Sequence, residues 1–351
     1  MNLSSKTIKL LEDIERRLNP ETEIDFENQW QNFLHDRFEG EIFLPERKIL
    51  SKPGVELEAI NINDAICDYE LMLRRELTAV SISLSEKTSN IAMRANYGTG
   101  ILSSVFGAEV FMMDRTHNTL PTTRAISEER IREIVQKGLP NIKTGFGKSV
   151  FEFAEFLKEA LKPYPKISEF VRLYHPDLQG PLDICELLWG ADFFYALYDD
   201  PDFVHSFLSL ITDTYEVFMK NWFKIFPASE DINPHWLKMY FKGKIFLRND
   251  SAMNLSLDLY NEFARPYDKK LLDTFGGGAV HFCGKGDHYI QSLCSISSLS
   301  AINLSQPEYN DMEKIYQNTV DKKIKILELN RKQAIADKDR AGGFNHCVSI
   351  S

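Results

Sequence analysis

A chain of 351 residues, 43% hydrophobic and 26% charged, has the composition of a packed globule rather than a disordered segment. Its length suits two ordinary domains or one large α/β barrel. A formal net charge of −10 with no basic run argues against nucleic acid or an anionic membrane as partner.

No long uncharged apolar run is present, so no segment is expected to span a bilayer. Met1–Lys9 is polar and lacks the apolar core of an export signal, which points to a cytoplasmic protein. The five cysteines are odd in number and scattered, so they read as thiols or metal ligands rather than a disulfide framework. Cys67, Cys185 and Cys294 lie in helical, mixed surroundings and read as inert thiols.

Residues 6–18 carry Ile8, Leu11, Ile14 and Leu18 on one helical face and stop at Asn19-Pro20. A second helix places Phe26, Trp30, Phe33, Leu34 and Phe38 at helical spacing, an aromatic stripe of the kind that forms core. A third starts at Asn63-Asp64 and runs to about Arg75. These helices, residues 1–75, are expected to pack on a main domain over 76–351.

Ile91–Leu102 reads as strand, glycine loop and short helix. Gly98-Thr99-Gly100 lacks the third glycine and the following acidic residue of a dinucleotide fingerprint, so a loop at a barrel mouth fits better. Phe106–Met113 reads as another strand, with His117 in the polar loop after it. Ser127 caps a helix ending at Gly138. Ser149-x-x-Glu152 reads as a capping box opening a helix over Val150–Leu161.

Val171–Tyr174 is a strand. Its exit loop, His175-Pro176-Asp177-Leu178-Gln179-Gly180-Pro181, crowds polar side chains where α/β barrels assemble their sites. Satisfaction of turn amides is an equal alternative for Asp177 and Gln179. Asp200-Pro201 opens a long helix. Lys244–Arg248 is a strand with Asn249-Asp250-Ser251 as its exit loop. Leu299–Leu304 is a further strand, and a charged helix over 321–338 leads to the C-terminal segment. Strands alternating with helices from about residue 78 onward predict a parallel sheet, and their count suits a (β/α)8 TIM barrel.

The segment Gly276–Gly286 holds the sharpest signal. A glycine run ends a helix, and Ala279–Cys283 reads as a buried strand. His281 and Cys283, at i and i+2, share one face with Cα atoms ~6.5 Å apart. Ligands at that spacing can converge on one ion, since Zn–N is ~2.0 Å and Zn–S ~2.3 Å. A lone His-x-Cys is more often a core histidine and a buried thiol, because zinc sites take three or four ligands.

Taken together these segments resemble the uroporphyrinogen decarboxylase superfamily, a family of (β/α)8 barrels. The resemblance rests on Asn96-Tyr97-Gly98-Thr99-Gly100 with Phe106-Gly107-Ala108-Glu109, on Asp177-Leu178-Gln179-Gly180-Pro181, on Asp199-Asp200-Pro201, on Asn249-Asp250-Ser251 with Pro266, and on His281-Phe282-Cys283-Gly284. The arginine-rich N-terminal grip of the decarboxylases is replaced here by Phe43-Leu44-Pro45-Glu46-Arg47-Lys48. The chain is therefore closer to the zinc-dependent corrinoid methyltransferase branch.

That resemblance implies a zinc ion on His281, Cys283 and Cys347, with His346 as the alternative third ligand. It implies transfer of a methyl group between a small methylated substrate or thiol and a corrinoid carried on a partner protein. Asp250 is expected to act in catalysis beside His281 and Cys283. Arg94, Asn96, Tyr97, His117, His175, Asp177 and Gln179 are expected to bind substrate. Asn96, His117, Asp177, Gln179 and Asp250 are expected around one cavity. The competing readings are a metal-free decarboxylase-like lyase, which would need arginines such as Arg94 and Arg248 at the mouth, and a binding barrel without chemistry.

Overall fold

The computed structural model describes residues 2–350. The chain opens with two amphipathic helices. Ser4 caps Ser5–Arg17 through its side chain, and Asn19 caps Pro20–Leu34, with Pro20 at the first helical position where its missing N–H costs nothing.

Eight strands take part in parallel ladders and are numbered in chain order: β1 Ile42–Phe43, β2 Ala92–Met93, β3 Arg172–Leu173, β4 Ile245–Arg248, β5 Gly278–Phe282, β6 Leu299–Leu304, β7 Lys325–Ile326 and β8 Val348–Ser349. Six of them form one sheet in the order β1-β8-β7-β6-β5-β4, and β2 pairs separately with β3. The molecule is thus a mixed α/β fold built on a parallel sheet with helices between the strands. Among the described residues no ladder joins β1 to β2 or β3 to β4, so the hydrogen bonds do not close into the single eight-strand ring expected of a full barrel. The first strand instead meets the last, Ile42 opposite Val348.

Alternation along β5 sends side chains to two cores. Val280 and Phe282 join the large core shared with the helices. Ala279, with Ala301 and Leu327, packs against Trp30 and Phe33 of Pro20–Leu34 and against Phe241 of the antiparallel hairpin Ile232–His235/Met239–Lys242. The stripe Phe26, Trp30, Phe33 and Leu34 is therefore core, as its spacing suggests, whereas Phe38 lies beyond the end of the helix at Leu34 and is only partly buried. The bare methyl side chains of Ala279 and Ala301 leave room for the Phe241–Phe246 edge-to-face pair at 5.2 Å.

The glycine run before β5 is also a packing device. A Cβ on Gly278 would lie 2.0 Å from the Ile245 carbonyl oxygen, and Gly277 takes φ +103°.

Several local expectations change. Val110–Phe111 pairs antiparallel with Thr122–Thr123 and stays outside the parallel sheet. The capping box at Ser149–Glu152 lies inside a helix that already starts at Gly145. The expected helix over 321–338 is β7 followed by a short helix, Arg331–Asp337. Lys323 takes a left-handed φ of +65°, and Lys325 is buried with its Nζ 2.6 Å from Asp36, so a charged stretch hides a core strand. Segment 1–75 supplies β1 as well as helices, and the boundary at 75 falls inside the helix Tyr69–Ser83. Among the described residues no helix is long and apolar enough to cross a membrane.

Candidate metal centre and the cavities beside it

His281 lies near the C-terminal end of β5, opposite Asn303 of β6 and Arg248 of β4. Its Nδ1–H donates to Asn303 Oδ1 at 2.6 Å, and the same amide donates through Nδ2 to Leu327 O at 2.6 Å. A carbonyl at Leu327 can only accept, so the Asn303 amide has one orientation. Its oxygen therefore faces the ring and holds the proton on Nδ1. The Nε2 lone pair is left free. It points to Cys283 Sγ at 3.3 Å and Asp250 Oδ1 at 3.5 Å. Metal-ligating histidines are usually held by an acceptor on their other ring nitrogen, and the Asn303 amide oxygen fills that role for His281.

The donor atoms of Asp250, His281 and Cys283 all lie within 4.8 Å of one another. A tetrahedral zinc with bonds of about 2.0–2.3 Å separates its donors by about 3.3–3.6 Å; the two separations from His281 Nε2, 3.3 Å to Cys283 and 3.5 Å to Asp250, match that spacing. Imidazole, thiolate and carboxylate are all ligands that zinc accepts.

Asp250 is positioned from two sides. Its Oδ1 accepts the Cys283 N–H at 3.0 Å, and its own N–H donates to the buried Asp183 at 3.0 Å. Asp183 also accepts the Ser251 N–H at 2.8 Å. Burial, then the charge of Asp250, pushes the Asp183 carboxyl up to about 8. Burial likewise pushes the Cys283 thiol up to about 11, with Asp250 adding to it and Ser305 opposing. Burial lowers His281, against the pull of Asp250 and Asn303. Without a cation the centre thus favours a neutral ring and a protonated thiol. Gly284 turns the chain away from the strand end at φ +69°.

The two proposed downstream ligands are elsewhere. Cys347 directly precedes β8, and Val348 pairs with Ile326. Cys347 is therefore level with Lys325, Ala301 and Ala279, two residues before His281 and three strands away. Three ladder spacings amount to about 14 Å. Its thiol contacts Asn345 O at 3.2 Å and Lys325 Nζ at 3.7 Å. His346 points to Gly40 O at 2.8 Å. Neither joins the group around His281, so the expected third donor is corrected: the carboxylate that lies beside His281 and Cys283 is that of Asp250.

The other expected site residues divide. Asp177 is buried and accepts Arg248 at 2.9 Å, with Arg94 at 3.6 Å from the same oxygen and Gln179 at 2.7 Å on the other. Arg94 and Asn96 line a cavity of about 590 Å³ together with Glu76, Tyr174 and Trp236. Trp236 meets the His281 ring edge-on at 5.3 Å and carries the Arg248 guanidinium over its face at 4.7 Å, so this cavity reaches the centre through one indole. Gln179 and Asp250 line a second cavity of about 370 Å³. The single shared cavity is therefore two.

Tyr97 is fully buried with its ring 5.4 Å from Phe146, and belongs to the core. His117 is exposed on a short turn, Arg115–His117, and lines neither cavity, although the next residue, Asn118, lines the larger one. His175 has both nitrogens engaged: Nδ1–H with Pro176 O and Nε2 with the Phe246 N–H, each at 2.8 Å. That is a structural role, pinning the exit of β3 to β4. Burial lowers its pKa to about 4.

Asn303, Trp236 and Asp183 were not among the expected site residues. Asn303 carried a usable signal, a lone amide inside the apolar strand Leu299–Leu304.

No protein-family model and no curated protein matches the sequence. Among solved structures the chain is similar in fold to a methyltransferase from Methanosarcina mazei, with a TM-score of 0.61 and 13% identity over 93% of this chain and 92% of that one.

Proposed function

We propose that the protein is a zinc-dependent methyltransferase of the corrinoid branch of the uroporphyrinogen decarboxylase superfamily. In this reading the six-strand and two-strand ladders form one (β/α)8 barrel. The observation that carries the proposal is the meeting of a tautomer-fixed His281 Nε2 with Cys283 Sγ at 3.3 Å and Asp250 Oδ1 at 3.5 Å, all three donors within 4.8 Å of one another. The likeness in fold to the Methanosarcina mazei methyltransferase, nearly end to end, supports methyl chemistry on this framework.

Zinc held by Asp250, His281 and Cys283 would supply a Lewis acid with an open position, able to activate a substrate thiol or polarise a methylated leaving group. The chain's own residues do the rest. Asn303 keeps the Nδ1 proton in place, so Nε2 stays a donor of electrons. The Asp183 carboxyl holds the backbone amides of Asp250 and Ser251, which aims the Asp250 carboxylate at His281. Trp236, edge-on to the His281 ring, presents an indole between that ring and the larger cavity. The corrinoid would come on a partner protein and exchange the methyl group with the small substrate.

A decarboxylase-like lyase would instead use free arginines at the cavity. Arg94 and Arg248 are both turned to Asp177, which speaks for the metal reading. Zinc content of the purified protein, followed by methyl transfer from methylated substrates to a Co(I) corrinoid, tests the proposal. One zinc per chain and activity lost on chelation are expected, and a metal-free active lyase would overturn it.

A further inference from the structure

The hairpin Ile232–His235/Met239–Lys242 turns through Trp236, Leu237 and Lys238. Trp236 takes φ +49°, a left-handed conformation that glycine and asparagine accept and a bulky residue resists. The hairpin has other anchors. Ile232, Met239 and Phe241 are buried in the core against Trp30 and Phe33. Asn90 ties the turn down, its backbone N–H donating to Leu237 O at 2.9 Å and its Nδ2 to Met239 O at 3.0 Å. A strained backbone persists where its surroundings over-determine it, so the reason for this one lies in what the side chain touches.

The indole stands in an aromatic socket. It meets the His281 ring edge-on at 5.3 Å, the His235 ring at 5.0 Å and Phe246 at 6.0 Å. The Arg248 guanidinium lies over its face at 4.7 Å, and Arg248 is itself held by Asp177 at 2.9 Å and donates to His235 Nε2 at 3.2 Å. One side of the socket is thus the imidazole of the candidate metal centre.

That centre lies between two cavities of unequal access. Asp250 lines the smaller one, about 370 Å³, with its side chain 41% exposed. On the side of the larger one, about 590 Å³, the indole stands between the cavity and the His281 ring, whose side chain is 5% exposed. A small ligand can come in past Asp250, whereas a ligand that carries a ring needs the room the indole fills. We infer that Trp236 is the specificity-determining residue of the centre: its indole occupies the place beside His281 where the aryl group of a bound thiol would lie, so small aliphatic thiols are taken and aryl thiols are excluded. The inference rests on the reading of the centre as a metal site and adds a size limit to it.

The test loads the protein with cobalt(II) in place of zinc, since a thiolate bound to cobalt adds a charge-transfer band. The thiol gives its proton to the buffer and coordinates through sulfur. Wild type, Trp236→Gly and Trp236→Phe are titrated with ethanethiol and with phenylmethanethiol. Glycine accepts the left-handed turn as it removes the indole, so the variant keeps the hairpin. The wild type is expected to bind ethanethiol about tenfold more tightly, or better, than phenylmethanethiol. Trp236→Gly is expected to gain about tenfold or more for phenylmethanethiol, with ethanethiol within about threefold of wild type. Trp236→Phe, which puts a ring back, is expected to return the wild-type preference.

The same preference in Trp236→Gly as in wild type, equal binding of both thiols by the wild type, or a Trp236→Phe protein that behaves like Trp236→Gly would overturn the inference. A protein that binds no cobalt or zinc loses the function proposed above, and Trp236 is then read from the metal-free thiol. Cys283 Sγ is 3.3 Å from His281 Nε2, so its alkylation samples the same space. Iodoacetamide transfers its carboxamidomethyl group to the thiolate with loss of iodide, and N-phenylmaleimide adds the thiol across its double bond. The rate at Cys283 with the aryl reagent relative to the small one, followed by peptide mass spectrometry, is expected to rise about tenfold in Trp236→Gly. An equal ratio in both proteins would show that the indole excludes nothing.

Discussion

Two cysteines sit at opposite ends of strands in one parallel sheet and have opposite fates. Cys283 follows β5 at its C-terminal end, half-buried, with an imidazole and a carboxylate within reach. Cys347 precedes β8 at its N-terminal start, fully buried, against a carbonyl oxygen and the Lys325 ammonium. Residue type and order along the chain are the same kind of evidence for both. What separates them is register: in a parallel sheet every C-terminal end lies on one side, where the exit loops bring Asp250 and Asp183. A residue at a strand start is two or more positions short of that side and is absorbed into packing.

The strongest way to break this comparison is to remove one thiol at a time. Cys283→Ala is expected to abolish stoichiometric zinc and methyl transfer, because two remaining donors do not hold the ion. Cys347→Ser is expected to keep full zinc content and to lower stability by about 1–2 kcal/mol through its buried hydroxyl. Metal analysis by mass spectrometry and urea unfolding of both variants check this. Zinc lost in Cys347→Ser and kept in Cys283→Ala would reverse the assignment of the two ends.

A smaller effect sharpens the same contrast. Asn303→Leu keeps all three donors but frees the His281 ring and its tautomer. Zinc affinity is expected to fall about 10–100-fold, measured by competition with a chromophoric chelator. An affinity equal to wild type would mean that the amide on β6 does not orient the ring.

His175 offers a test on the structural side of the sheet. Its folded pKa, about 4, lies below the ordinary value of 6.5 because the ring is buried. Between these values the unfolded chain binds more protons, so the neutral ring's contribution is fully present above pH 6.5 and is lost as pH falls towards 4. The loss comes to about 3 kcal/mol at one pKa unit per 1.36 kcal/mol. Urea unfolding at pH 7 and pH 4.5 should show this fall in the wild type and a smaller one in His175→Gln. Equal slopes in both proteins would place the acid sensitivity elsewhere.

The smallest expected effect concerns a residue that the sequence alone places at the site. His117→Ala, on its exposed turn, should leave zinc content, methyl transfer and melting temperature within error of wild type, since surface changes of this kind shift stability by about 0.5 kcal/mol at most.

Local chemistry in the sequence was enough for the elements that carry their own signals. The caps at Ser127 and Asp200 accept the amides of the helices they open. The apolar runs of β4, β5 and β6 are strands, and His281 and Cys283 share a face because a strand repeats every two residues. These follow from steric and hydrogen-bonding preferences that act within a few residues.

Whatever depends on register between distant strands had to wait for the tertiary structure. The sheet brings Asp250 from β4 and Asn303 from β6 to His281, and leaves Cys347 three strands off. It also turns the charged stretch around Lys325 into a core strand, because Asp36, distant in sequence, receives the ammonium. Tyr97 and His175 are polar residues after strands, just as Gln179 is, yet packing makes one a core ring and the other a pin between strands. No spacing along a single chain encodes those distances, since they are set by which strands lie side by side and by how many residues each has run before it ends.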